Sequence, residues 1–298
     1  MIVTLTPNPS IDRAIVIDAL LRGEVHRATS SRIDPGGKGV NVSRALAAQG
    51  TATIAVLPSG GPEGHLMDEL LDTAGVARRS VPVSGSLRMN ISVLEPDGTT
   101  TKLNEPGPQL SPAEVDALLT ATLDAADGAS WVVACGSLPP GAPTTFYADL
   151  VTRVRERGIR VAVDSSGAPM PLAVAARPNL IKPNHEELAE LVGHDLPTLG
   201  DVRAAARDLV ADGIEVVAVS LGDPAGIGPE IVVEAAARAS VRRACRLVIY
   251  GDEGVLAVAR RIRGLADDAK SAIERVEPVT RLTLAGAKLP KPGKRCGE

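Results

Sequence analysis

"DPGGKGVNVSRALAAQG", residues 34–50, sets two glycines, Lys38 and a further glycine directly before an Ala/Leu-rich helical pattern. A β-branched run precedes it, "MIVTLT" (1–6), and another follows it, "TATIAVLP" (51–58). Further runs of the same kind continue along the chain: "SWVVACG" (130–136), "IRVAVDSSG" (159–167), "NLIKPN" (179–184), "IEVVAVSLG" (214–222) and "CRLVIYG" (245–251). Amphipathic segments separate them, and such alternation predicts an α/β fold with a mostly parallel sheet flanked by helices. The glycine turn also has a chemical reading. Glycines let backbone approach a ligand closely, the first N–H groups of a helix face an anion, and Lys38 adds a full positive charge. A tight turn with a solvated lysine satisfies the same pattern, and the turn does not match the GxxxxGK[ST] phosphate loop.

Composition narrows the ligand. Aromatic residues are 1% of the 298, so the core is built from aliphatic side chains and no platform for stacking bases is available. A net charge of −4 gives no basic footprint for nucleic acid, which leaves a small molecule as the expected partner. Cys135, Cys245 and Cys296 form no CxxC pair, which excludes a zinc knuckle and fits a reducing cytoplasm. No apolar run reaches the length of a membrane span. The opening "MIVTLTPNPSIDRAIVI" lacks a basic segment followed by an apolar one and reads as the first strand of a soluble enzyme.

Several local signals are explicit. "SPAE" (111–114) is a capping box with Pro112 at the first helical position, opening a helix whose apolar face is Val115, Leu118, Leu119 and Leu123. Gly158 closes the helix "FYADLVTRVRERG". "SLRMNISVLEPDGTTTKLNEPG" (86–107) reads as two extended runs joined by Pro96-Asp97-Gly98, a β-hairpin that would form a small lid. Arg88 and Asn90 share one face of it by the two-residue period, and the arginine could clamp a phosphate or lie at the surface. In "TPNPSIDR" (6–13), Asp12 could accept from ligand hydroxyls or make an Asx turn. In "IKPNHEEL" (181–188), Asn184 and Glu187 form a capping box, while the same pair with Lys182 nearby could serve a magnesium ion held through water.

The order of "TPNPSIDR", "GGKGVN", "RMNI", "KLNEPGP", "GSLPPG", "VDSSG", "KPNHEEL" and "VVAVSLG" resembles the ribokinase-like PfkB family of sugar kinases, over residues 1 to about 222. Within that family it is most similar to the 1-phosphofructokinases and their tagatose-6-phosphate kinase relatives. The resemblance implies a ribokinase-like sheet with a β lid and phosphorylation of a sugar phosphate by ATP with Mg²⁺. The implied reaction is phosphorylation of fructose 1-phosphate at its 6-hydroxyl, with tagatose 6-phosphate as the alternative substrate. It gives Asp12, Gly37, Lys38, Asn41 and Arg88 to the substrate, and Lys182, Asn184, Ser220 and Gly222 to the nucleotide. Asn184 and Glu187 fall to the magnesium through water, and the lid could pair two copies of the chain.

After Gly222 the resemblance ends. The family continues to a GAGD motif, whose helix N-terminus makes an anion hole and whose aspartate takes the proton, and no GAGD occurs in this chain. Residues 223–264, beginning "DPAGIGPE", instead resemble the amino-terminal segment of the 4-hydroxythreonine-4-phosphate dehydrogenases, so the chain reads as chimeric with the carboxyl-terminal part of the kinase fold replaced. Those enzymes use histidine metal ligands further on, and no histidine follows Gly222 here. An oxidoreductase therefore rests on that fragment alone. Glu230 and Asp223 are the nearest surrogate bases, but phosphoryl transfer needs placement to about half an ångström, which a foreign turn does not supply. A non-catalytic sugar-phosphate binder, or the product of a gene rearrangement, is the competing reading. Residues 265–298, rich in Pro, Gly and Lys at the end, read as a disordered tail.

Overall fold

A strand that is buried on both faces carries few polar residues and connects to its parallel neighbour through a helix. The computed structural model describes residues 1–219 and the backbone of residues 248–251 and 275–278. In chain order the elements are β1 (Ile2–Leu5), β2 (Ser10–Val16), β3 (Ser30–Gly36), α1 (Lys38–Ala48), β4 (Thr53–Ser59) and α2 (Gly61–Thr73). Next come β5 (Arg78–Pro82), β6 (Arg88–Leu94), β7 (Thr100–Asn104), α3 (Pro112–Ala125), β8 (Trp131–Cys135) and α4 (Phe146–Glu156). They are followed by β9 (Arg160–Asp164), α5 (Pro169–Ala175), β10 (Leu180–Ile181), α6 (His185–Val192), α7 (Leu199–Ala211) and β11 (Val216–Val217).

Seven strands form one parallel sheet in the order β11-β10-β9-β8-β1-β4-β5. Helices cover both faces, as the alternation predicts. On one face Val3, Leu5, Val56, Val132 and Val161 pack with Leu118, Leu150 and Val151. On the other, Ala55 and Leu57 of β4 meet Val40 of α1 and Met67 and Leu71 of α2. Val56 facing one way and Ala55 and Leu57 the other is the two-residue period of a strand. Beneath α1 a buried hydroxyl chain replaces apolar contact: Thr4 Oγ1 lies 2.8 Å from Ser43 Oγ, which lies 2.9 Å from Thr53 Oγ1. Each hydroxyl can donate and accept, so Ser43 can donate to one threonine while accepting from the other.

A second sheet, ordered β3-β2-β6-β7, is the lid. The hairpin at Pro96-Asp97-Gly98 forms as expected, with Glu95 N–H donating to Thr99 O and Gly98 N–H to Glu95 O, both at 3.0 Å. The lid is larger than that hairpin. The opening run is split at Pro7 and Pro9, so that β1 enters the main sheet while β2 crosses into the lid and pairs in parallel with β6. Strand β3 carries Pro35, which is tolerated because β3 is an edge strand.

The capping boxes predicted at Ser111–Glu114 and Asn184–Glu187 are both formed, and a third opens α7 at Thr198–Asp201. Gly158, at φ 71°, follows the end of α4. The chain divides into two units, residues 1–220 and 221–298. In the second, β12 (Val248–Gly251), which is the run "CRLVIYG", pairs in parallel with β13 (Arg275–Pro278). Strand β13 falls inside the segment expected to be a disordered tail; the rest of that tail, and the remainder of 223–264, lie outside the described residues.

Glu114 ties α3 to the chain before it. Its carboxylate accepts from Ser111 N–H at 2.7 Å and from Ser84 N–H at 2.6 Å, and these backbone donors hold its pKa down at about 2. A depressed carboxylate stabilises the fold above its unfolded pKa and loses that contribution as pH falls through the folded one. The urea midpoint is therefore expected to fall between the ordinary glutamate value of about 4.3 and the folded value of about 2. Glu114→Gln should flatten that part of the profile, and an unchanged slope would contradict the assignment.

Candidate functional site

In a parallel α/β sheet, ligands bind outside the carboxyl ends of the strands. Side chains of three sequence-distant segments meet there. Lys38 enters from the first turn of α1, Asp164 ends β9, Lys182 follows β10, and Glu187 sits in the first turn of α6. Lys38 Nζ is 2.9 Å from Asp164 Oδ1 and 3.9 Å from Glu187 Oε1, and Lys182 Nζ is 3.1 Å from Asp164 Oδ2. Burial works to lower the Lys38 pKa, but the hydrogen bond and charge of Asp164, with the charge of Glu187, outweigh it and raise the pKa. Lys38 is thereby held as an ammonium. Cys135 lies beneath, its thiol pushed up to about 12 mainly by burial, so it is a neutral packing group.

The turn that presents Lys38 needs its glycines. A Cβ on Gly36 would overlap the Asp12 carboxylate. Gly37 has φ 114°, which a side chain disfavours, and a Cβ there would press on Thr6 Cγ2. The close backbone approach foreseen in the sequence is used first against the protein's own Asp12 and Thr6.

On the lid, Asp12 stands directly opposite Asn90 in the β2/β6 register. Ser10 Oγ donates to Asp12 Oδ1 at 2.6 Å, while Asn90 Nδ2 donates to the same Oδ1 at 3.2 Å and to Ser10 Oγ at 3.0 Å. Both bonds to the Asp12 carboxylate fall on Oδ1, which leaves Oδ2 as an acceptor for a further donor. Arg88 is bound to main chain instead of standing free. Its Nη2 donates to Asn8 O at 3.0 Å and its Nη1 to Glu105 O at 3.2 Å, and burial lowers its pKa against the opposing charge of Asp12. Asn8 closes the seam, with Nδ2 donating to Pro106 O at 3.0 Å. Among the described residues, Thr6 Oγ1, Asn8 Oδ1, Arg88 Nε and Asn90 Oδ1 are buried without a hydrogen-bond partner, a concentration of orphaned polar atoms along the junction of lid and sheet. A buried orphan is costly, and functional seams are where such costs are tolerated.

Of the residues singled out from sequence, Lys38, Lys182 and Glu187 are brought together, and Asp12 and Arg88 lie on the lid side. Asn41 is exposed on α1, its Oδ1 accepting from Arg44 Nη1 at 3.3 Å. Asn184 and Glu187 are spent first on the helix cap: Asn184 Oδ1 accepts from Glu187 N–H and Glu187 Oε2 from Asn184 N–H, both at 2.8 Å. Glu187 Oε1 remains for a second task. Among the described residues no three His, Cys, Asp or Glu side chains gather to cage a metal. The one Glu187 oxygen outside the cap is compatible with a magnesium ion held through water. Ser220, Gly222, Asp223 and Glu230 lie outside the described residues. Ser10 and Asp164 were missed from sequence; a carboxylate ending a β-branched run, as in "VDSSG", was the available signal for the second.

A lysine-bearing glycine turn at the strand ends, with a lid that carries a carboxylate able to accept hydrogen bonds, is a geometry suited to a polar, anionic small molecule. Residues 6–225 match the model of the pfkB family carbohydrate kinases, and the chain belongs to that family. It is similar to the 1-phosphofructokinase of Rhodobacter capsulatus, 39% identical over 223 residues that span 74% of this chain and 71% of that protein. It is also similar to the ATP-dependent 6-phosphofructokinase isozyme 2 of Escherichia coli, 36% identical over 76% of this chain and 74% of that protein. The crystal structure of Escherichia coli phosphofructokinase-2 in complex with fructose-6-phosphate superposes with a TM-score of 0.71 at 36% identity, covering 74% of each chain. Among the described residues no helix is long and apolar enough to cross a membrane.

Gly36→Ala is expected to cost about 1–3 kcal/mol of stability by overpacking. Because the added methyl meets the Asp12 side chain, Asp12→Ala in the same chain should recover part of the loss in urea denaturation. Strictly additive effects would contradict this packing.

Proposed function

We propose that the chain binds fructose 1-phosphate between the lid and the GGKG turn and, with Mg-ATP, is built on the scaffold of a kinase that phosphorylates its 6-hydroxyl to give fructose 1,6-bisphosphate. The observation that carries this reading is the pairing of Lys38, held as an ammonium at the strand ends, with an Asp12 carboxylate whose Oδ2 is free. The first suits the sugar's phosphate and the second its hydroxyls. Lys182, on the far side of Asp164, would meet the nucleotide phosphates. Asn184 and Glu187 would hold Mg²⁺ through water, and the ion would supply positive charge against the phosphates. Arg88 serves the substrate by fixing the Asn8 and Glu105 carbonyls, which keeps the lid strand in register with the turn.

Fructose 6-phosphate and tagatose 6-phosphate present similar groups, and relatives named both 1-phosphofructokinase and 6-phosphofructokinase support a sugar phosphate more firmly than any one isomer. A reducing cytoplasm suits the buried thiol of Cys135. The lid face opposite Asp12 carries Ile15, Ile33, Ile91, Val93 and Leu103, of which Leu103 is 58% exposed, and a second copy of the lid would cover it.

A specific observation favours weak turnover. The family match ends at residue 225, no GAGD follows, and the resemblance therefore supplies neither the general base nor the second anion hole. We read residues 1–222 as a kinase domain joined to a foreign segment, 223–264, so the chain would bind its substrates and transfer phosphate poorly. The test is ADP release by the purified chain with Mg-ATP and fructose 1-phosphate. Release at background from protein that melts cooperatively and is stabilised by the sugar phosphate is the expected result. Turnover of roughly 1–100 s⁻¹ would overturn the weak-activity reading, and Glu230→Gln would then test the surrogate base.

A further inference from the structure

We propose that Asp164 is a positioning residue that sets the substrate-side and nucleotide-side lysines relative to one another, one on each carboxylate oxygen. The inference rests on the reading of Lys38 as a substrate group and Lys182 as a nucleotide group, and it assigns a task to a residue outside both sets.

Geometry supplies the first argument. Lys38 Nζ lies 2.9 Å from Oδ1 and Lys182 Nζ 3.1 Å from Oδ2, so one carboxylate spans two ammonium groups that arrive from α1 and from the segment after β10. The carboxylate is the buried member: its side chain is 11% exposed, against 46% for Lys38 and 43% for Lys182. The anion is thus fixed in the wall of the site while the cations reach outward from it.

The carrier is rigid. Asp164 O accepts from Gly136 N–H at 2.9 Å, and Gly136 O in turn accepts from Tyr147 Oη at 2.8 Å and from the adjacent Ser165 Oγ at 3.0 Å. The ends of β8 and β9 are therefore fastened to each other and to α4 just where the carboxylate emerges. A lysine is a point charge on a flexible stem, and its position is otherwise poorly fixed. Each ammonium has three donors and spends one on Asp164. Among the described residues the remaining donors make no hydrogen bond, so ligand oxygens could take them without breaking the link. Two lysines with Asp164 and Glu187 also balance to zero charge, so the lysines are held close together without mutual repulsion driving them apart. Pre-organisation of this kind lowers the ordering cost of binding.

Calorimetric titration of the full 298-residue chain with fructose 1-phosphate, and separately with Mg-ATP, tests the assignment. Asp164→Asn is expected to weaken both ligands, each by about tenfold, the worth of one charge-assisted hydrogen bond. Lys38→Ala should weaken the sugar phosphate alone and Lys182→Ala the nucleotide alone. Adding Asp164→Asn to Lys38→Ala should then cost the sugar phosphate nothing further. Asp164→Glu, which keeps the charge but displaces both ammonium groups, should give an intermediate loss for both ligands, and it replaces the asparagine variant if that one does not fold. If Lys38→Ala weakens sugar phosphate while the Asp164 variants leave both affinities unchanged, or lower them additively with the lysine variants, the inference is wrong and the site reading stands. If Lys38→Ala leaves sugar-phosphate affinity unchanged, the site reading itself fails, and the inference with it.

Discussion

Close approach of backbone at Gly36, Gly37 and Gly39 governs how the lid, the main sheet and the charged residues meet. Gly36 ends β3 against the Asp12 carboxylate, and a Cβ on Gly39 would run into Thr6 Oγ1 and the Leu5 carbonyl. With side chains at these positions, α1 would have to back away from β1, and Lys38 would leave the strand ends. The same turn joins the last residue of a lid strand to the first turn of a helix on the main sheet. Lid and sheet are therefore coupled through backbone packing as well as through the charged groups above them.

The electrostatics follow from that placement. Lys38, Asp164, Lys182 and Glu187 form a partly exposed network, and such networks add little net stability because screening and side-chain ordering offset the Coulomb gain. Their value lies in fixing where charge sits before a ligand arrives. Arg88 differs in kind. Half-buried and bound to two main-chain carbonyls, it behaves as a strut across the seam between β6, the Asn8 turn and the end of β7. The orphaned atoms of Thr6, Asn8 and Asn90 beside it mark a polar seam that remains incompletely satisfied.

Sequence carried the local features well. The capping boxes at Ser111 and Asn184 and the turn at Pro96-Asp97-Gly98 are dictated by residues within a few positions of one another, and each formed as read. The central parallel strands announced themselves as β-branched runs. Two edge strands did not: β3 contains Pro35 and β5 reads "RRSVP", so neither carries the apolar signal of a buried strand. The break between β1 and β2 was hidden because one apolar run serves two sheets. At the site, Lys38 and Glu187 stood out through their glycine turn and helix cap, whereas Asp164 became visible only when β9 was placed beside them. Its partners lie 126 residues before it and just after the strand that follows, a relation that no local pattern encodes.

Ligand binding between lid and turn is the central claim, and hydrogen–deuterium exchange of the intact chain with and without saturating fructose 1-phosphate tests it most directly. Amides of residues 34–42 and 88–92 should both exchange more slowly with the sugar phosphate present, while those of α3, remote in sequence from both, stay unchanged. Unaltered exchange in both segments at a concentration that saturates binding would contradict the proposed site.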